Sequence, residues 1–353
     1  MAKDSNPTLE ALRKLAAPKF DRRSVIRLLT AGGLTIEQLA RHFDADAEAI
    51  ERALRELQHQ GAAVFEHEGV WSAGPGPAGI IYKPFKTDKD GWFVFGAIGD
   101  THLCSKLERL EELRDMYRIF AANGVTTVLH TGNYIDGESR FNRHELKVHG
   151  MDAQLEYMGD AYPEVPGITT YMVSGDDHEG WYAQREGVNI GFYMQQVMER
   201  GGRRDLKHLG YMESFVPLQH ARSKKTAMIH VVHPGGGSAY AVSYTMQKQI
   251  EAYEGGEKPA IALAGHYHKA EHLETRNVHG FQTGCFQDQT TFMRNKKLVA
   301  TIGGWIVFAR QNPENGAVEE VASYFKGYYN SGYYVNNRWS LSGPVSLVPR
   351  MKL

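Results

Sequence analysis

From Trp92 onward the sequence alternates short apolar runs with helical stripes, and this alternation limits the fold more than any other feature. Phe93 to Ile98 reads as an apolar strand. Leu107, Leu110, Leu113, Tyr117 and Phe120 then recur at helical spacing and stop at Asn123-Gly124. Val125 to Leu129 is a second strand, followed by Thr169 to Val173, Ala227 to Val232 and Ala260 to Ala264. After Leu298 the pattern turns to strands at Ile302 to Ala309 and Ala317 to Tyr324. Strand–helix–strand alternation of this kind predicts an α/β core.

The chain ahead of that core is organised differently. Residues 1–20 are polar and are expected to be a loosely ordered N-terminus. Residues 21–73 read as a compact unit. Its first helix, near Ser24 to Thr30, ends at Gly32-Gly33. Thr35 and Gln38 form a capping box for a second helix through His42. Asp46 caps a third, with Ile50, Ala53, Leu54 and Leu57 on its apolar side. Ala63 to Ser72 follows as a hairpin turning near Glu68-Gly69. Residues 74–90, with Gly-Pro-Gly-Pro and a Lys/Asp-rich stretch, read as a linker. Residues 91–325 form the α/β domain and 326–353 an aromatic-rich tail.

Composition excludes several classes. The longest apolar runs are far shorter than the ~20 residues of a membrane helix, and Met1-Ala-Lys-Asp-Ser-Asn has no apolar signal segment. Two cysteines, Cys104 and Cys285, cannot make a disulfide framework or a thiolate zinc site, and a reduced cytoplasmic setting is expected. With 40 Lys and Arg against 41 Asp and Glu, the chain has no general basic coat for nucleic acid. Sixteen histidines beside two cysteines direct any metal chemistry toward nitrogen and oxygen ligands.

Five segments place His, Asp or Asn at or just after expected strand ends. They are Gly99-Asp-Thr-His102, Gly132-Asn-Tyr-Ile-Asp-Gly137, Gly175-Asp-Asp-His-Glu179, His230-Val-Val-His-Pro-Gly235 and Gly265-His-Tyr-His268. Ligands of open α/β sheets bind outside the carboxyl ends of strands, so such loops can converge. Carboxylates mixed with imidazoles suit Mn²⁺, Fe or Zn²⁺.

The order of these segments over residues 92–310 resembles that of the calcineurin-like metallophosphoesterases, among which are nucleases that process DNA breaks. The resemblance implies a four-layer αββα sandwich of two mixed sheets, with two divalent metal ions, Mn²⁺ foremost, activating a water at the sheet edge. Carried over by position, it implies Asp100, His102 and His268 at the first metal and residue 133 between the two. Asp177, His233 and His266 fall at the second, with His233 preferred to His230 because it lies at the strand end. His178 falls beside the scissile phosphate, oriented by Asp136 or Glu179.

Two positions depart from the pattern. The usual bridging Asp is Asn133, and the usual Asn before the histidine is Asp177. A neutral amide bridges two cations poorly, but Asp177 returns the lost charge. The pair reads as an exchange of roles, with Asp177 as the candidate bridge.

The remaining features divide between readings. Arg140, Arg143 and His144 follow the Asn133 loop and are candidate substrate contacts, or else a solvated helix start. The rings of Tyr324 to Tyr334 suit stacking on single-stranded bases, although an edge strand or a tail packed on a second copy in a homodimer is the plainer account. The N-terminal unit resembles a winged helix-turn-helix domain. Its third helix carries Asp46, Glu48, Glu51 and Glu56 against Arg52 and Arg55, which fits docking of a protein partner better than a DNA groove. Three functions are therefore expected in turn: a metal-dependent nuclease acting on DNA, a phosphatase or small-molecule phosphodiesterase, and an inactive binding protein on the same fold.

Overall fold

The computed structural model describes residues 22–31, 33–59, 64–67, 69–73, 79–80, 84–237, 241–253 and 258–329. The chain divides into two compact units between Pro77 and Ala78.

The first unit holds α1 (Arg22–Ala31), β1 (Leu34–Thr35), α2 (Ile36–Phe43), α3 (Ala47–His59), β2 (Val64–His67) and β3 (Val70–Ala73). The capping box at the start of α2 is formed. Gln38 N–H donates to Thr35 Oγ1 at 3.3 Å, and Thr35 N–H donates to Gln38 Oε1 at 2.8 Å. Asp46 accepts from the Glu48 N–H at 3.2 Å in the first turn of α3. Leu39, Ile50, Leu54 and Trp71 are fully buried at the centre of the unit. The strands pair antiparallel in the order β1–β3–β2.

The second unit is built on two mixed sheets. One has the order β16–β15–β6–β7–β8–β9, formed by β6 (Trp92–Ile98), β7 (Thr127–His130), β8 (Thr169–Ser174), β9 (Leu206–Tyr211), β15 (Ile302–Gln311) and β16 (Val318–Tyr328). Its strands β6 to β9 are parallel, and β15 and β16 close it antiparallel. The other sheet joins β10 (Glu213–Gln219), β11 (Thr226–Val232), β12 (Ile261–Ala264), β13 (Ala270–Thr275) and β14 (Val278–Thr283). There β11, β12 and β14 are parallel.

Phe95, Leu129 and Val307 of the first sheet and Ile229, Val231 and Leu263 of the second bury one another between the sheets. The outer face of the first sheet is covered by α4 (Leu110–Ala122), α5 (Met151–Ala161) and α7 (Ile190–Arg200), through Met116, Phe120, Leu155 and Met194. Met246 and Ile250 of α8 (Tyr244–Glu251) cover Ala262, Ala264 and Val278 of the other sheet. Helix, sheet, sheet and helix thus make a four-layer sandwich, the α/β core expected from the alternation in the layering that the resemblance implies.

Three expectations need correction. The span 74–90 is not wholly linker: β4 (Gly79–Ile80) and β5 (Phe85–Lys86) pair in parallel with β10. Pro217 of β10, which has no N–H to give, falls between these two short pairings, as a proline in a sheet must. The helix after β6 begins at Leu110, because Leu107 and Glu108 belong to the loop that bridges to Gln287. The last strand continues to Tyr328, past the expected start of the tail, and the aromatic stretch beyond Tyr329 lies outside the described residues. Among those residues no helix is long and apolar enough to cross a membrane, and both cysteines are buried free thiols.

Candidate metal centre

Each predicted segment leaves the C-terminal end of a parallel strand. Asp100 and His102 follow β6, Asn133 and Asp136 follow β7, and Asp177 and His178 follow β8. His233 follows β11, and His266 and His268 follow β12, so the site draws on both sheets. Backbone bonds tie the loops together: His102 N–H donates to Asn133 O at 2.9 Å, and Gly265 N–H to Val232 O at 3.2 Å. The sheets are joined by the His266 N–H, which donates to Asp100 Oδ2 at 2.9 Å.

The loops turn sharply to do this. Asp100, His102, Asn133, His178, His266 and His268 all have left-handed backbone, with φ between 43° and 71°. Such a conformation costs a non-glycine residue about 1 kcal/mol or more. Its concentration on these side chains marks a constellation held by the surrounding fold.

Two clusters result, each with one carboxylate and two imidazoles. Asp100, His102 and His268 form the first, and Asp177, His233 and His266 the second. In the first, His268 Nε2 is 3.4 Å from Asp100 Oδ1 and 3.1 Å from His102 Nε2. In the second, His233 Nε2 is 3.2 Å from Asp177 Oδ1, and His266 Nδ1 is 3.3 Å from Asp177 Oδ2.

The outward nitrogen of three rings fixes which atom faces inward. His102 Nδ1–H donates to Asp136 Oδ1 at 2.9 Å. His233 Nδ1–H donates to Thr131 O at 2.7 Å, and His266 Nε2–H donates to Gly236 O at 2.8 Å. Their other nitrogens face into the clusters and, once deprotonated, would offer lone pairs there, the arrangement that metal-ligating imidazoles use. Asn133 Oδ1, Asp177 Oδ1 and His233 Nε2 are buried, and the last two lie 3.2 Å apart. Buried acceptors converging on one another are unfavourable unless a proton or a cation lies between them, so the donor set fits divalent metals. In the protein itself burial works against charge on His233, but Asp177 and Asp100 outweigh it and raise it to about 9. A cation entering there displaces a proton.

His178 stands beside the first cluster, its ring edge-on to His102 at 4.3 Å and stacked on Trp181 at 4.7 Å. Its Nδ1–H donates to Asp136 O at 2.9 Å and lies 3.2 Å from Asp136 Oδ1. Burial disfavours its charge, yet Asp136 and Asp177 raise it to about 10. Asp136 is therefore the carboxylate that orients His178. Glu179 does not touch that ring: its Oε1 accepts from the Asn133 N–H at 2.9 Å and the Gly175 N–H at 2.8 Å, pinning two ligand loops. Burial pushes Glu179 up to about 7.

Asp177 reaches His233 and His266 and lies within ion-pair distance of neither His102 nor His268, so it is not placed as a bridge. His230 is held by Glu213 and Tyr253, and it is His233 that groups with Asp177 and His266. Arg143 and His144 are largely exposed; Arg143 pairs with Glu138 at 2.7 Å, and Arg140 lies over Phe141. Asn142 and Gln287, which no motif contains, both donate to the Asp136 carboxylate, at 3.3 and 3.2 Å.

No family model and no curated protein matches the chain. Solved structures to which it is similar include an archaeal phosphodiesterase at 13% identity and a TM-score of 0.35, covering 66% of this chain and 100% of that one. Zinc-complexed Vps29 from Entamoeba histolytica is 12% identical with a TM-score of 0.30, over 67% of this chain and 99% of that one. A predicted phosphoesterase from Streptococcus pneumoniae is 14% identical with a TM-score of 0.29, over 67% and 98%. The second unit has two mixed sheets in a four-layer sandwich with paired carboxylate–imidazole clusters where their strands end, the architecture that the resemblance of its segments to the calcineurin-like metallophosphoesterases implies.

Proposed function

We propose that this protein hydrolyses phosphodiesters in a metal-dependent reaction and that its substrate is a strand of DNA. The observation that supports this best is the pair of carboxylate–imidazole clusters with a fifth imidazole, His178, beside them. Bound divalent cations, Mn²⁺ first among the candidates, supply charge neutralisation at phosphate and an acidified water. Asp100, His102 and His268 would hold one, and Asn133, Asp177, His233 and His266 the other. The chain's own part is to fix those donors and to move a proton. His178, held at Nδ1 by Asp136, has Nε2–H left to give to the departing oxygen.

The substrate reading draws on the rim. Asn142 anchors the loop with exposed Arg140, Phe141 and Arg143 to Asp136, and Gln287 anchors the segment leading to α9 (Thr291–Lys296) to the same carboxylate. Thr291 N–H also donates to Glu145 Oε1 at 3.2 Å, so the two segments adjoin. Phe292, Arg294, Lys296 and Lys297 are exposed there. Cations for phosphates with rings for bases are the means by which strands are bound without sequence preference.

The test is a substrate panel with Mn²⁺, Zn²⁺ and Fe²⁺: single- and double-stranded DNA, bis-p-nitrophenyl phosphate and p-nitrophenyl phosphate. Cleavage of DNA and of the bis-ester supports the proposal. Turnover of the mono-ester alone selects a phosphatase, a reading favoured by the net charge of −1. No turnover with any metal leaves a binding protein on this fold.

A further inference from the structure

We infer that Asn133 serves one metal rather than bridging two, and that the two half-sites therefore load in sequence, the Asp177 half first. This rests on the metal-centre part of the proposed function and not on hydrolysis.

The side chain of Asn133 is buried, and its two ends face different clusters. Nδ2 donates to Asp100 Oδ1 at 3.4 Å, so the amide turns its NH₂, which has no lone pair to give a metal, toward the first cluster. Oδ1 has no hydrogen-bond partner. It faces the bare backbone of Gly175, where a β-carbon would stand 2.7 Å from Asn133 Oδ1, 2.9 Å from His233 Cδ2 and 3.0 Å from Asp177 Oδ1. The amide oxygen, the Asp177 carboxylate and the His233 ring thus crowd round one spot. The reverse amide orientation would set its oxygen against the Asp100 carboxylate, acceptor against acceptor.

The half-sites are consequently unequal. The Asp177 half offers Asn133 Oδ1, Asp177, His233 Nε2 and His266 Nδ1, with the two Asp177 oxygens 3.2 and 3.3 Å from the two ring nitrogens. The Asp100 half offers Asp100, His102 Nε2 and His268 Nε2, and both oxygens of Asp100 already accept, from Asn133 Nδ2–H and from the His266 N–H. A fourth donor, the amide oxygen, favours the Asp177 half. An aspartate at 133 would offer an anionic oxygen to each half and couple them.

The experiment is calorimetric titration of the chelator-stripped full-length protein with Mn²⁺, with no substrate present. Two events are expected, one metal each, the first tighter by at least about tenfold. Asp177→Asn should remove the tight event and keep the weak one; Asp100→Asn should do the opposite. The event each variant retains shows that it is folded. Asn133→Asp should draw the weak event toward the strong one. A single two-metal event in the wild type, loss of the weak event in Asp177→Asn, spacing unchanged by Asn133→Asp, or no binding at all overturns the inference. Stepwise loading without hydrolysis would reject the proposed activity and leave this inference standing. Hydrolysis with concerted loading would do the reverse.

Discussion

Nδ1 of His102 stands 2.9 Å from Oδ1 of Asp136, and this bond decides which nitrogen of the ring can bind a metal. With the proton held on Nδ1, Nε2 presents its lone pair to Asp100 and His268. Asp136 also orients His178 and collects Asn142 and Gln287, so one buried anion positions a candidate ligand, the proposed proton donor and two rim segments.

Asp136→Asn should accordingly weaken metal binding at the Asp100 half by roughly 10–100-fold, the usual cost of losing a partner behind a metal-bound imidazole. Isothermal titration with Mn²⁺ reads this directly. The Asp177 half, whose rings are fixed by Thr131 O and Gly236 O, should keep its affinity.

Gly175→Ala tests the crowding at the second cluster. The added methyl would stand 2.7 Å from Asn133 Oδ1 and 2.9 Å from His233 Cδ2, inside any tolerable contact. Metal content by elemental analysis should fall by one equivalent, and the thermal midpoint of the chelated protein should drop by several degrees, as ~1–3 kcal/mol of overpacking strain implies.

Glu179 predicts a pH dependence of stability. Burial raises it from the ordinary 4.5 to about 7, so between those values the folded state holds a proton that the unfolded chain has released. The sign follows: its contribution is fully present below pH 4.5 and is lost as pH rises through 7. Denaturant unfolding of chelator-treated wild type and Glu179→Gln should show their stability difference shifting against the wild type by a few kcal/mol across that window. Parallel curves would show that the Glu179 carboxyl titrates normally.

His178→Gln should lower phosphodiester turnover by roughly 10²–10⁴-fold with both metal-binding events intact, because it takes away a proton donor and no ligand. Trp181, stacked on that ring, gives a fluorescence check that the local packing persists.

In the first unit, Thr35→Ala removes the oxygen that accepts from Gln38 N–H. A loss of ~1 kcal/mol in the stability of that unit is expected, read by amide exchange of α2 in the full chain. Turnover at the metal centre should not change.

Much of this protein is legible in its sequence because both signals involved are local. Apolar runs at strand length and stripes at helical spacing gave the α/β alternation, and strands β6, β7, β8, β11 and β12 lie within two residues of their expected limits. The ligand residues are legible for the same reason, since each sits within four residues of a strand end. Less legible were β4 and β5, which are too short to show a pattern, and β10, whose Pro217 argues against a strand until its neighbours' register is known.

The chemistry of the site was decided elsewhere. Residue type and order determined that Asp100, His102, Asn133, Asp177, His233, His266 and His268 are the candidate ligands. Which nitrogen of His102, His233 and His266 faces inward depends on Asp136, Thr131 O and Gly236 O, which come from other loops. That Glu179 braces the Asn133 and Gly175 backbones rather than His178, and that the amide of Asn133 turns its oxygen to one cluster, are also results of assembly. A sequence fixes which donors a chain possesses; orientation, protonation and partnership are set largely by hydrogen bonds between loops that follow different strands, and those loops meet only when the strands are assembled into sheets and the sheets are packed.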